Sequence, residues 1–335
     1  MVISGFTGEM FVRRRQFLLG AVAVSAGVLA APSPVTAAPV LVTAAPVLVT
    51  NPAQADRDFA RWLSVHDPRE GVRSAARSAL DTGGATAFLA SGYASAVDRA
   101  ARARTGHLDF ANRMAAEHTP QSYPWVHAAA RRAAIGTDAE LAEFAATGYP
   151  AALQKDQAKV PYDDGAAQVT DEDRDLAASL GGVPLGATVQ ERAADLTTDA
   201  GIAEFLRHGL LSAAGIDADT HRAQYVAHEW AQWNEARQLT LQALAAEESG
   251  DPDAVAWAWQ TVTTRFPRQP SGWSERERLA RNRADAWAWL AAGATRSETL
   301  LQASAVREQW LSETTTATER STWWTELLRY ALSAA

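Results

Sequence analysis

Cysteine is absent from the 335-residue chain, which excludes disulfide staples, thiol nucleophiles and every cysteine-ligated metal or iron–sulfur centre. Lysine is nearly absent: Lys155 and Lys159 are the only two among 31 basic residues. Against 39 acidic residues the net charge is −8, so no nucleic-acid partner is expected, because such binders carry a basic face. No serine stands in a Gly-x-Ser-x-Gly elbow, and Gly181-Gly182 lacks the third glycine and the lysine of a phosphate-cradling loop. The sequence therefore offers no catalytic residues and no cofactor, and nothing in it speaks for an enzyme.

What the chain has in quantity is alanine, 73 residues against 14 prolines and 21 glycines. Alanine is the strongest helix former, and the fold class expected is all-α.

Residues 1–37 have the layout of an export signal. Arg13, Arg14 and Arg15 precede an apolar run from Phe17 to Ala31, and the small-residue stretch Val35-Thr36-Ala37 offers a cleavage site. Gly20, Ser25 and Gly27 interrupt the run and Pro32 follows it, so it falls short of the roughly 20 residues of a spanning helix. No transmembrane anchor is expected after signal removal. The pair Arg14-Arg15 followed by Gln16-Phe17-Leu18 resembles a twin-arginine export motif, which implies a secreted protein. Residues 38–55 contain Ala-Pro-Val-Leu-Val-Thr twice in tandem and are expected to form a flexible leader.

Over residues 56–215 a pattern recurs three times. An alanine-rich helix leads through a turn to Phe88-Leu89-Ala90-Ser91-Gly92-Tyr93, then to Phe144-Ala145-Ala146-Thr147-Gly148-Tyr149, then to Phe205-Leu206-Arg207-His208-Gly209-Leu210. Phenylalanine one turn before glycine predicts a buried ring followed by a left-handed residue that ends the helix. Thr137 and Glu140 have capping-box spacing. Each unit reads as a helical hairpin that must lie against a neighbour to bury its apolar stripe. The alternation of Ala-Ala-x-x-Ala-Leu, Gly-Thr-Asp and Phe-Leu-x-x-Gly resembles the alanine-leucine-phenylalanine (ALF) short repeats of secreted bacterial proteins. That family includes the core protein of umbrella-shaped toxin particles. The resemblance covers residues 68–212 and implies an α-solenoid-like array that serves as a protein-binding platform in bacterial competition.

Residues 216–335 differ in composition, with ten of the 12 tryptophans lying between Trp230 and Trp324. Apolar spacing predicts five helices, over 219–248, 252–267, 274–292, 297–313 and 318–333, the third opened by a Ser274/Glu277 capping box. In Ala256-Trp257-Ala258-Trp259 and Ala286-Trp287-Ala288-Trp289 both indoles of a pair cannot share a helix face. Either all of them pack into the core of a thick bundle, or Trp257, Trp287 and Trp289 are candidate binding residues, for a protein or for cell-wall glycan. His221, Tyr225 and His228 follow along one helix side and form a candidate polar group. His228-Glu229 lacks the second histidine of a zinc-protease motif, since Gln232 stands there, and no metal site is expected. Asp171, Asp173 and Asp175 lack the glycine and the terminal glutamate of a calcium loop and read as a solvated acidic linker.

Two functions stay open. The first is a secreted, non-catalytic scaffold binding other secreted proteins through its repeats. The second is an exported enzyme or small-ligand binder with a pocket among the tryptophan-rich helices.

Overall fold

A computed structural model of the protein describes residues 45–294 and 297–335. The export signal with Arg14 and Arg15, and residues 38–44 of the expected leader, lie outside the described residues. Every regular element described is helical, in keeping with the alanine content.

The leader expectation fails from Ala45 onward. Helix α1 (Val47–Thr50) buries Leu48 completely, and α2 (Pro52–His66) follows at once. Asn51 starts α2, its side chain accepting from the Gln54 amide, and Pro52 fits the first helical position, where no amide is needed.

Three units then share one order of elements. In the first, α3 (Glu70–Asp81) leads to α4 (Ala85–Ala87), the π-helical turn Phe88–Gly92 and α5 (Tyr93–Glu117). In the second, α6 (Pro124–Ala134) leads to α7 (Asp138–Glu143), the π turn Phe144–Gly148 and α8 (Tyr149–Gln157). After α9 (Asp171–Leu180), the third runs α10 (Ala187–Ala194), α11 (Asp199–Glu204), the π turn Phe205–Gly209 and α12 (Leu210–Ser249). The first helix of each unit buries valine and alanine one turn apart: Val72 and Ala76, Val126 and Ala130, Val189 and Ala193.

The glycines of the motif do not end helices. Gly92, Gly148 and Gly209 have φ near −65° and sit in continuous helix, each closing a single π turn. Glycine is there for space: a Cβ at these positions would lie 3.0, 3.3 and 2.9 Å from Cδ2 of the preceding phenylalanine. Close packing of ring on backbone is what the motif encodes.

Asp171 and Asp175 are exposed as expected, but the three aspartates are not in a linker. They lie in α9, where Thr170 and Asp173 form a capping box and Asp173 is buried. The Thr137/Glu140 box opens α7 as expected.

Helix α12 crosses the expected boundary at residues 215/216 without a break, and the described residues belong to one compact unit. Helices α13 (Pro252–Arg265), α14 (Gln269–Gly293) and α15 (Ser297–Ala334) complete the fold. The fourth and fifth predicted helices are thus one. Thr314, Thr315, Thr316 and Thr318 each donate a hydroxyl to the carbonyl four residues back, so this stretch of poor helix formers satisfies its hydroxyls inside one continuous helix. Nor does Ser274 cap a helix: α14 already starts at Gln269, and the serine hydroxyl donates to the Pro270 carbonyl.

Interior packing joins the two sequence halves. One apolar cluster combines Phe59, Phe88 and Tyr93 with Trp233, Trp259, Trp273 and Trp324. Another combines Phe205 and Leu210 with Trp287 and Trp310. A third holds the second unit, with Phe144 and Leu141 on Met114 of α5.

Candidate functional site

Of the polar residues expected to act together, the structure brings His221 against Tyr225 and sets His228 apart. Tyr225 is buried and donates its hydroxyl to Glu313 Oε2 at 2.9 Å, while Arg222 Nε donates to Glu313 Oε1 at 2.6 Å. Burial and the facing Glu313 carboxylate push the Tyr225 phenol far up. His221 stacks edge-on to Tyr225, its ring 5.3 Å away, and lies 5.3 Å from Trp310. Burial, then the Arg276, Arg222 and Arg283 charges, lower its pKa to about 4. His228 instead faces Gln269 Oε1, 3.1 Å from its Nε2. The three side chains make no common site. Rings of Trp273 and Trp310 against Tyr225 and His221 fill the space beside them.

The tryptophan pairs divide. Trp257 and Trp289 are 59% and 56% exposed, whereas Trp259 and Trp287 are fully buried. Trp287 is therefore withdrawn as a binding residue: its Nε1 donates to the Leu185 carbonyl at 3.1 Å and anchors α14 to the loop before α10. The buried members of the pairs belong to different clusters.

Deeper in the fold lies a polar hub without a sequence signature. Glu229 is fully buried. Its carboxylate accepts from Trp273 Nε1 at 3.0 Å, from Trp324 Nε1 at 3.0 Å and from Arg320. The Arg320 guanidinium also faces the rings of Trp323, Trp62 and Phe59 at 4.5, 5.5 and 5.8 Å. Both oxygens of Glu229 meet donors, as a buried carboxylate requires. His66 is close by; burial, Arg222 and Arg320 together lower its pKa to about 4. The arrangement is structural glue, with both charges committed to each other.

Open space occurs on the repeat side. A groove of about 720 Å³ runs between α3, α5, α7 and α12, and a hollow of about 290 Å³ continues it along α12. Gly71 from α3, Ala103 from α5 and Ala142 from α7 are small parts of its wall, and Arg69, Arg73, Arg104, His107 and Gln309 border the same space. At one edge a Cβ on Gly215 would lie 3.0 Å from Thr137 Cγ2; the missing side chain lets α12 come close to the start of α7. Charges along the groove are paired. Arg69 donates to Asp67 at 2.7 and 2.8 Å, Arg73 to Glu70 at 2.8 Å and Arg104 to Asp138 at 2.5 Å. Asp219 belongs to both spaces, and its nearest cation is Arg222 Nη1 at 3.9 Å. Burial raises its carboxyl to about 6, against the lowering effect of Arg222 and Arg73.

The groove escapes sequence reasoning because its walls come from segments as distant in the chain as Val65 and Gln309, with no motif in common. Arg222 directly follows His221 and Asp219 stands two residues before it, yet Arg222 turns to Glu313 and Asp219 to the groove. Among the described residues no group of three or more histidine, aspartate or glutamate side chains is placed to hold a metal ion. Among them, too, no helix is long and apolar enough to cross a membrane. No family model matches the chain, and neither the curated proteins nor the solved structures contain a significant match to it.

Proposed function

We propose that this protein is an exported, non-catalytic scaffold that holds a segment of another secreted protein in the groove between its first two Phe-x-x-x-Gly units and α12. The groove carries the reading: it is a space of about 720 Å³, roomy enough for a segment of chain, whose arginines are already paired with neighbouring carboxylates. The resemblance of residues 68–212 to ALF repeats supports the same reading and extends it to a toxin-associated assembly in bacterial competition. The twin-arginine-like start supports export.

The test is capture from culture medium by the immobilised full chain and by an Ala103→Trp variant. Ala103 is exposed in the groove wall, so an indole there fills the space and leaves the core untouched. A stoichiometric partner retained by the parent and by Trp257→Ala, and lost by Ala103→Trp, is the expected result. Capture indifferent to Ala103→Trp, or no partner at all, would overturn the groove reading.

A second contact, with cell-wall glycan, is supported by the exposure of Trp257 and Trp289. Sedimentation with purified peptidoglycan tests it: the Trp257→Ala/Trp289→Ala chain should remain in the supernatant, and co-sedimentation equal to the parent would dismiss it.

A further inference from the structure

The groove reading leaves open what kind of segment is bound, and the charges along the groove bear on that. Arg69, Arg73, Arg104 and Arg222 each have a carboxylate at 2.8 Å or closer, namely Asp67, Glu70, Asp138 and Glu313. Those cations are already engaged, and the carboxylates Glu70 and Asp138 are engaged with them. Asp219 differs. Among the described residues its one ion pair is the 3.9 Å approach to Arg222, whose guanidinium is directed at Glu313 at 2.6 Å. It stands where the groove meets the hollow along α12, lining both. Burial is the main cause that raises its carboxyl to about 6; the Arg222 and Arg73 charges work against it, and Asp138 and Glu313 add to it. A carboxylate partly removed from water without a close cation is a site at which an incoming positive group gains most.

We propose that Asp219 is the specificity residue of the groove and receives the ammonium or guanidinium of a lysine or arginine side chain on the bound segment. The inference rests on the groove reading given above. An anionic segment would meet cations already paired and would add a further negative charge beside Asp219, a like-charge juxtaposition that rejects partners. A cation complements the Asp219 carboxylate. Bound there, it would hold Asp219 ionised at neutral pH and so lower the carboxyl from its raised position.

The probe is a set of fluorescein-labelled, alanine-rich helical peptides of about 15 residues, identical except for one central arginine, lysine, glutamine or glutamate. Anisotropy titrations use the full chain, Asp219→Asn and Ala103→Trp. The arginine and lysine peptides should bind the parent about tenfold more tightly than the glutamine peptide, Asp219→Asn should remove that advantage, and Ala103→Trp should weaken all four. Asp219→Asn should melt at or above the parent temperature at pH 7, which separates lost recognition from lost folding. Preference for the glutamate peptide, an arginine advantage that survives Asp219→Asn, or no binding by any peptide would overturn the inference. The groove reading stands or falls separately, on partner capture by Ala103→Trp.

Discussion

The ring of Phe205 occupies the place where a side chain on Gly209 would stand, 2.9 Å from Cδ2 to the Cβ that glycine lacks. At φ −66° the backbone itself would welcome alanine, which gains about 1 kcal/mol over glycine inside a helix. Overpacking against a buried ring costs about 1–3 kcal/mol. Gly209→Ala should therefore destabilise by about 1 kcal/mol, and Gly148→Ala, with 3.3 Å available, should be close to neutral. Gly106, in α5 with nothing near its missing Cβ, is the control and should be stabilised by about 0.5–1 kcal/mol as alanine. Urea unfolding of the three variants measures the series, and equal effects at all three positions would disprove the steric account.

Removing one partner from the Glu229 hub should be severe. Glu229→Gln leaves the Arg320 guanidinium buried among Phe59, Trp62 and Trp323 without its carboxylate, and loss of one member of a buried pair costs about 3–5 kcal/mol. Adding Arg320→Met should recover part of that loss, because no uncompensated charge remains. A double variant no more stable than Glu229→Gln would refute the coupling.

Acid should loosen the fold early. His66 and His221 both titrate near 4 when folded, against 6.5 for a free histidine, because burial and neighbouring arginines disfavour their charged forms. Above pH 6.5 neither state binds these protons and nothing is lost. As pH falls from 6.5 towards 4 the unfolded chain takes up protons that the folded chain refuses, so stability drops. Asp219 works the other way: its raised carboxyl takes a proton in the folded state first and adds stability as pH falls through 6 towards 4. Two histidines outweigh one carboxyl, so the net slope should be positive in pH over this window. His66→Phe and His221→Phe should each flatten it, as read from denaturant midpoints at pH 7, 6 and 5. A profile unchanged by both would contradict the burial argument.

Two of the three units cap their first helix with an aspartate seven residues after the π-turn glycine's successor. Asp156 accepts from the amides of Trp125 and Val126 at 3.0 and 2.9 Å, and Asp217 from those of Thr188 and Val189 at 2.9 and 3.2 Å. The corresponding position in the first unit is Ala100, whose Cβ lies 3.6 Å from a Cβ on Gly71 at the start of α3. Ala100→Asp should stabilise by about 0.5–1 kcal/mol and Asp156→Ala should cost about 1 kcal/mol, both measured by thermal melting. A destabilised Ala100→Asp would show that the first unit departs from the other two at this corner.

Much of the helical content was legible in the sequence, since alanine, the Thr137/Glu140 box and the spacing of Phe88, Phe144 and Phe205 are local signals. The role of the glycines was misread because φ cannot be read from composition: the same residue serves a left-handed stop and a close approach, and only the ring position distinguishes them. The parity argument for Trp257/Trp259 and Trp287/Trp289 worked, since each pair has one indole inside and one outside, but it could not say which. Trp287 went inside because the Leu185 carbonyl awaits it across about a hundred residues of chain. Asp219 carried no signal at all; its character comes from Arg222 preferring Glu313, a relation between helices that only folding creates.

Helix α12 contributes Leu210 to Ala218 to one apolar cluster and Tyr225 to Ala243 to another. A single rod anchored at both ends transmits strain between them, so neither half can melt while the other keeps its full enthalpy. Calorimetry should accordingly record one endotherm for the whole assembly of helices, and a chain cut at residue 215 should yield two sticky fragments rather than two domains.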